Sequence, residues 1–468
     1  MKRRISGHVL FILSCFVVVS LTGVATAHDD HDHDHDHAHD TAPPRRDDKA
    51  EYGASEMPDR IVLTWTRDPA TSQTVTWRTS DRIERAYAEI APLNEGPDFR
   101  RERVKLTAET QALDTDLGKC HFHTVEFTGL KPNTKYGYRV GDDVNWSEWF
   151  HFRTASDKPE PFSFVYFGDA QNEVRSMWSR IVREAFTDAP RAAFMLHAGD
   201  LINDPNNDHE WGEWFHAGGW VNAQMPVIAT PGNHEYTRRR ILGVKANRIL
   251  TPYWRPQFAF PLNGPDGLEE ATYYIDYQGA RIVSLNSNEE LAIQEKWLDK
   301  VLDRSRRTWN ILTFHHPIYP MAEQRGLSET REWMDTIDKH GVDLVLTGHD
   351  HTYGRSNLIR RDDNVPDGLS WRSEKGGTVY VVSVSGPKMY VVDDRARERM
   401  GKTGQRVQLY QIIHIDGMTL RYEARSADGR VFDAFELHKQ ADGTNTMVIL
   451  TTDGKPTNQT AAATTTNE

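Results

Sequence analysis

The chain has 468 residues, 38% of them hydrophobic and 26% charged, and its 56 Lys and Arg against 68 Asp and Glu give a formal charge of −12. That length can bury more than one core, and the acidic balance excludes nucleic-acid binding through bulk phosphate neutralisation. With only Cys15 and Cys120, a scaffold built on disulfides is excluded too.

The first residues are not part of a fold. "MKRR", the apolar run "VLFILSCFVVVSLTGV" and "ATA" at 25–27 follow the order of a secretory signal peptide, residues 1–27. A transmembrane anchor is the alternative, but the run is short for a bilayer span. A lipoprotein site at Cys15 is the other, set against apolar residues that continue beyond it. The pair Arg3-Arg4 lacks the rest of a twin-arginine signature. Cleavage removes Lys2, Arg3 and Arg4 with no acid, taking the charge from −12 to −15. No later run can span a membrane, and an exported chain left with Cys120 alone suits a bacterial periplasm, the cell surface or secretion.

Residues 28–56 read as a linker without structure. Within it "HDDHDHDHDHAHD", 28–40, holds six histidines and six aspartates and no apolar residue to bury. Alternating imidazole and carboxylate can hold zinc, copper or nickel weakly; a solvated acidic tail is the plainer alternative.

From 57 to 156 the pattern has period two. "RIVLTWT" and "QTVTWRT" alternate as half-buried strands do, and the whole stretch lacks a helical segment. This predicts an all-β sandwich. Its Leu130-Lys131-Pro132-Asn133-Thr134-Lys135-Tyr136 stretch resembles the corner of a fibronectin type III domain, where a tyrosine pins the turn. Trp65, Trp77, Trp146 and Trp149 are expected in core and interface.

After "SDKPEPF" a second domain is predicted over 160–440. Apolar runs at 162–167, 192–198, 226–230, 280–286, 309–315 and 342–347 alternate with stretches of helical spacing at 172–189, 289–305 and 328–341. This is an α/β pattern, with strands covered on both faces and ligands expected beyond their carboxyl ends. The runs lead into Gly168-Asp169, Gly199-Asp200, Gly232-Asn233-His234-Glu235, His315-His316-Pro317 and Gly348-His349-Asp350-His351. Five strands thus bring a carboxylate, amide or imidazole to one expected edge. So many oxygen and nitrogen donors suit two ions rather than one. His349 and His351, two residues apart, can each reach a different ion of the pair.

In that order, these motifs resemble the signature of the calcineurin-like metallophosphoesterases. "GNHE", "GHDHTYGRS" and the β-sandwich look most like the purple acid phosphatase branch. The resemblance covers residues 57 to about 438 and implies a two-sheet β-sandwich flanked by helices. It implies that Asp200 bridges two metal ions, that Asp169 and His351 bind the first, and that Asn233, His315 and His349 bind the second. His234 would contact the phosphate and protonate the leaving group. Two positions depart from the pattern. Asn203 stands where purple acid phosphatases carry an iron-binding tyrosine, and Gln171 where other branches carry a histidine. Either could offer a carbonyl oxygen, so divalent zinc, manganese or iron is expected.

The function this implies is an exported phosphoesterase acting on small phosphorylated substrates, with metal-bound hydroxide attacking phosphorus. A phosphodiesterase or nucleotide pyrophosphatase of the same fold is the alternative, and a non-catalytic metal-binding or adhesion protein is a third. "NDHEWGEWFHAGGW", 207–220, reads as a packed helix or a pocket wall, and "YTRRR", 236–240, as a solvated turn or a grip on a second phosphate. The C-terminal runs "GTVYVVSVSGPKMY", "VQLYQIIHIDGMTLRYEAR" and "VFDAFELHK" read as strands completing a second sheet. Residues 441–468 read as a threonine- and asparagine-rich tail with room for one strand at "TMVILTT".

Overall fold

A computed structural model describes residues 48–241, 244–326, 328–361 and 369–457. The signal peptide expected at 1–27 and the His/Asp tract at 28–40 lie outside the described residues. The linker expected to lack structure through residue 56 is instead helical at Asp48–Tyr52. Tyr52 explains this: its ring is buried, packs 4.9 Å from that of His209, and accepts a hydrogen bond from Arg175 Nη1 at 2.8 Å.

The N-terminal region is a sandwich of two four-stranded sheets. One pairs Asp59–Thr64, Ser72–Ser80, Gly118–Thr128 and Glu109–Thr115; the other pairs Val104–Thr107, Tyr87–Pro92, Lys135–Gly141 and Phe150–Arg153. Leu63, Val75, Trp77 and Phe127 from the first sheet meet Ile90, Tyr138 and Phe152 from the second in one core. The Tyr136 hydroxyl accepts a hydrogen bond from the Lys131 amide at 2.9 Å, closing the corner. A short 3-10 turn, Pro97–Glu102, interrupts the strands. Alternation led us to expect solvent on one face of Ser72–Ser80, yet almost every position there is buried. The second domain covers that face: Arg78 reaches Asp208 at 3.1 Å and Trp65 packs 5.9 Å from Phe194.

The second domain holds two seven-stranded sheets. In the first, Val227–Ala229, Met195–His197 and Phe162–Phe167 run parallel. Leu409–Asp416, Thr419–Ser426, Val431–Lys439 and Asn445–Ile449 then extend it antiparallel, the last being the strand allowed for in the tail. In the second sheet, Ala280–Ser284, Trp309–Thr313, Leu344–Thr347 and Val379–Val382 are parallel neighbours. The C-terminal strands therefore do not all complete one new sheet. Val379–Val382 enters the second, between Leu344–Thr347 and Tyr353–Arg355, and the later strands widen the first.

Successive residues of the second sheet point to different cores. Ile282, Ile311, Leu344, Leu346 and Val381 join the core shared with the first sheet. Val283, Leu312, Val345 and Val382 pack with Leu298, Leu302, Trp333 and Ile337 from the helical segments Leu291–Asp303, Glu329–Trp333 and Met334–Lys339. A strand covered on both sides needs apolar residues at every position, which accounts for the unbroken runs in the sequence.

Candidate metal centre

The expected edge is a meeting of two sheets rather than the rim of one. Asp169, Asp200 and Asn233 follow strands of the first sheet; His315, His349 and His351 follow strands of the second. A parallel bridge between Asp169 and Val384 joins the sheets there.

All six side chains come together. Asp169 Oδ2 lies 3.1 Å from His351 Nε2, and Asp200 Oδ2 lies 3.0 Å from His315 Nε2. Asn233 Oδ1 is 3.0 Å from His315 Nε2 and 2.9 Å from His349 Nδ1, and those two ring nitrogens are 3.1 Å apart. Donor atoms of Asp169, Asp200 and His315 all fall within 4.8 Å of one another. The arrangement is therefore two subclusters, joined through Asp169 and Asp200.

Backbone geometry accounts for the glycines in the motifs. A Cβ on Gly232 would stand 2.1 Å from Asp200 Oδ1, and one on Gly348 would stand 2.1 Å from Asp169 Oδ1. Asp200, His349 and His351 themselves hold left-handed φ values of 51°, 75° and 43°. Such conformations cost of the order of 1–3 kcal/mol each in non-glycine residues and collect at functional sites.

The donor set fits cations. His315 Nδ1 lies 2.9 Å from Ala198 O, and His351 Nδ1 lies 3.0 Å from Lys388 O. If each Nδ1 donates its proton to that carbonyl, a bare Nε2 lone pair is left facing carboxylate oxygen. Asp169 Oδ2 is buried with no hydrogen-bond donor. Lone pairs facing lone pairs repel unless positive charge sits between them. Without a cation, His315 itself supplies the positive charge: burial opposes its charge, but the Asp200 carboxylate outweighs burial and raises its pKa to about 9, so a bound ion would take the place of that proton. Burial likewise opposes ionisation of Asp200, yet His315 and His234 hold its carboxyl well below the usual range.

The two departures from the expected ligands lie beside the first subcluster. Gln171 Nε2 is 2.8 Å from His351 Nε2, and Gln171 Oε1 is buried without a partner. Asn203 Oδ1 accepts from Asn172 Nδ2 at 3.4 Å. His234 joins the Asn203 backbone to Asp200. Its amide donates to Asp200 Oδ1 at 2.9 Å, and its Nδ1 lies 2.5 Å from Asn203 O.

Comparison with known proteins agrees with this geometry. Residues 58–154 match the model of the purple acid phosphatase N-terminal domain, and residues 162–353, which include all six donors, match that of the calcineurin-like phosphoesterases. Residues 162–353 therefore form a calcineurin-like phosphoesterase domain. Among relatives, a probable purple acid phosphatase 20 of Arabidopsis thaliana is 29% identical over 54% of this chain and 57% of its own. Purple acid phosphatase 15 of the same plant is 26% identical over 56% and 52%. The chain thus spans about half the length of these curated relatives. A purple acid phosphatase from yellow lupin seeds shares the fold, with a TM-score of 0.69, 19% identity, and 87% of this chain and 78% of that one covered.

Several residues of the phosphoesterase centre went unnoticed in the sequence. The Glu235 carboxylate accepts hydrogen bonds from the amides of Asp200, Leu201 and Gly232 at 2.9, 2.8 and 2.6 Å, tying two of the motifs together. Burial, then the nearby Asp200 charge, pushes its pKa up to about 7. Asp350 accepts from the amides of Met321 and Ala322. The Tyr390 ring lies 4.7 Å from that of His351. The His316 ring lies 4.4 Å from that of His349, tilted by 52°, with Nδ1 2.8 Å from Ser287 Oγ. Only Glu235 and Asp350 left a signal, as acids inside the motifs.

The tryptophan-rich stretch forms the helix Asp208–Gly218, with Trp211 and Trp214 wholly buried, so it is packed helix rather than pocket wall. "YTRRR" lies in the strand Tyr236–Ile241, paired with Val244–Leu250; the side chains of its three arginines lie outside the described residues.

Proposed function

We propose that this chain is an exported, dinuclear-metal phosphatase hydrolysing phosphate monoesters. The convergence of Asp169, Asp200, Asn233, His315, His349 and His351 on one buried point carries the reading. Asp169 and His351 would hold the first ion and Asn233, His315 and His349 the second, with Asp200 shared. When bound, two divalent cations supply positive charge for the phosphoryl oxygens and acidify a water molecule at neutral pH.

The chain's own residues do the rest. Asp200, His315 and Asp169 are excluded from solvent, which strengthens every charge interaction at the centre. With His234 Nδ1 donating to Asn203 O, Nε2 is the atom left to carry a proton to the leaving alcohol. Glu235 ties the Asp200 backbone to that of Gly232, holding two of the donor-bearing turns together. With Asn203 replacing the phenolate ligand, zinc, manganese or ferrous iron is the expected occupant and the protein should be colourless.

Export rests on residues 1–27, supported by the composition of the mature chain. Among the described residues no helix is long and apolar enough to cross a membrane. We read the His/Asp tract at 28–40 as a weak transition-metal reservoir, and deleting it should lower metal loading in zinc-poor medium. The catalytic reading is tested on protein reconstituted with each metal, comparing p-nitrophenyl phosphate with its bis-ester. A monoesterase turns over the first far better. Preference for the bis-ester would establish the phosphodiesterase alternative instead.

A further inference from the structure

The motif that carries His349 and His351 runs on into Tyr353 and Arg355, and both of these reach a carboxylate far along the chain. The Tyr353 hydroxyl donates to Asp433 Oδ2 at 2.8 Å. Arg355 grips the same carboxylate with two prongs, Nε to Oδ2 at 2.9 Å and Nη2 to Oδ1 at 3.1 Å. These partners are 80 and 78 residues apart, and Asp433 lies beyond the segment 162–353 that matches the phosphoesterase model. The ion pair is buried, with side chains 2% and 5% exposed. Burial opposes the Asp433 charge, but the Arg355 guanidinium holds its carboxyl below the usual range.

The backbone on both sides is shaped for this grip. Tyr353 and Arg355 share one face of the short strand Tyr353–Arg355, while Gly354 faces Met321, whose Sδ would stand 2.4 Å from an added Cβ. Across from them, the strand Val431–Lys439 pairs Val431 with Arg425 and Asp433 with Ala424, so Phe432 is the extra residue of a bulge. A regular strand turns successive side chains to opposite faces. The bulge lets Phe432 and Asp433 both meet Tyr353, with the Phe432 ring 5.5 Å from the tyrosine ring.

The turn that needs holding lies just before. His349 and His351 keep φ values of 75° and 43°, and such conformations persist only where the surroundings over-determine them. Ahead of the turn, Leu344–Thr347 is flanked by Trp309–Thr313 and Val379–Val382, and the Tyr166 hydroxyl donates to Thr347 O. Behind it comes a strand of three residues, whose side chains cross to the first sheet at Asp433. A buried ion pair adds little stability over apolar residues of the same volume. What a two-pronged arginine adds is a fixed direction.

We propose that Asp433 is a positioning residue for the metal centre: through Tyr353 and Arg355 it sets the turn at 348–351 in its ligand-holding shape before any ion binds. The inference rests on the dinuclear-metal reading above, and it makes the antiparallel extension of the first sheet part of that centre's support.

The test compares the metal-free full chain with Asp433→Asn and with Asp343→Asn. Asp343 is likewise buried and pairs with Lys439 at the opposite end of Leu344–Thr347, so its variant reports a stability loss alone. The urea midpoint should fall in both variants. Hydrogen exchange at 348–355 should quicken in Asp433→Asn and not in Asp343→Asn. Zinc affinity by calorimetric titration should fall about ten- to a hundredfold in Asp433→Asn alone. Where Asp433→Asn fails to fold, Tyr353→Phe takes its place: it removes one bond, keeps the ion pair, and should show the same two changes more weakly. Exchange and zinc affinity no different from those of Asp343→Asn would overturn the positioning role and leave the metal reading intact. A wild type that binds no zinc would remove that reading itself.

Discussion

Glu235 shows how a residue that touches no metal can govern the site. Its carboxylate is the acceptor for three buried amides, and Glu235→Ala would leave all three without a partner. Each such loss costs about 1–3 kcal/mol, so we expect a fall of at least about 3 kcal/mol in unfolding free energy. Metal loading, read by elemental analysis, should fall with it. His197 is a residue whose effect depends on pH. Its imidazole is buried beside the rings of Phe167, Trp178 and Trp214, with neither nitrogen bonded, and burial depresses its pKa to about 3. The unfolded chain takes up that proton near 6.5 and the folded chain does not, so stability falls as pH drops from about 6.5 towards 3, by roughly 1.4 kcal/mol per unit from this residue. Urea midpoints across pH 7 to 4 should fall less steeply in His197→Phe; parallel curves would refute this. The six donors were legible because each directly follows an apolar run, usually after glycine. Tyr390 was not, because it meets His351 from 39 positions away; Glu235 stood inside a motif, but its role was hidden because it acts through backbone amides.

At the level of elements, the strand ends impose the tolerances. Gly232 and Gly348 are the points where one motif's backbone passes against another's carboxylate. Gly232→Ala or Gly348→Ala would force those oxygens aside, at a cost of about 1–3 kcal/mol. Metal affinity should drop further than stability does, since the carboxylate is what must move. Calorimetric titration of the apo-protein would measure both effects. The strands themselves were readable from their unbroken apolar runs. Their division between two sheets was not, because such a run says only that both faces are covered, by helix or by sheet alike. Val379–Val382 illustrates this: nothing in "TVYVV" distinguishes a strand placed between two others of the second sheet from one extending the first.

Across the whole molecule, the sandwich is fastened to the phosphoesterase domain by buried charge. Arg60 Nη1 meets Asp208 Oδ1 at 2.6 Å and Arg78 Nη1 meets Asp208 Oδ2 at 3.1 Å, with all three side chains at most 3% exposed. Thr115 Oγ1 donates to the same carboxylate at 3.1 Å. Asp208 opens the helix that follows the loop bearing Asp200 and Asn203, so the junction also steadies the centre. Arg78→Ala would leave the buried Asp208 carboxylate with Arg60 as its remaining cation among the described residues, and breaking such a buried pair costs up to about 3–5 kcal/mol. Chemical denaturation should show that loss together with weaker metal retention. No local pattern announced this junction, whose partners lie 130 and 148 residues apart. The most direct measurement of the central claim is metal content alongside turnover, for the wild type and Asp200→Asn. A pair of ions shared by Asp200 predicts two equivalents in the wild type, with phosphate release. The variant should hold at most one and release none. Two equivalents and full activity in the variant, or turnover by a wild type stripped of metal, would contradict it.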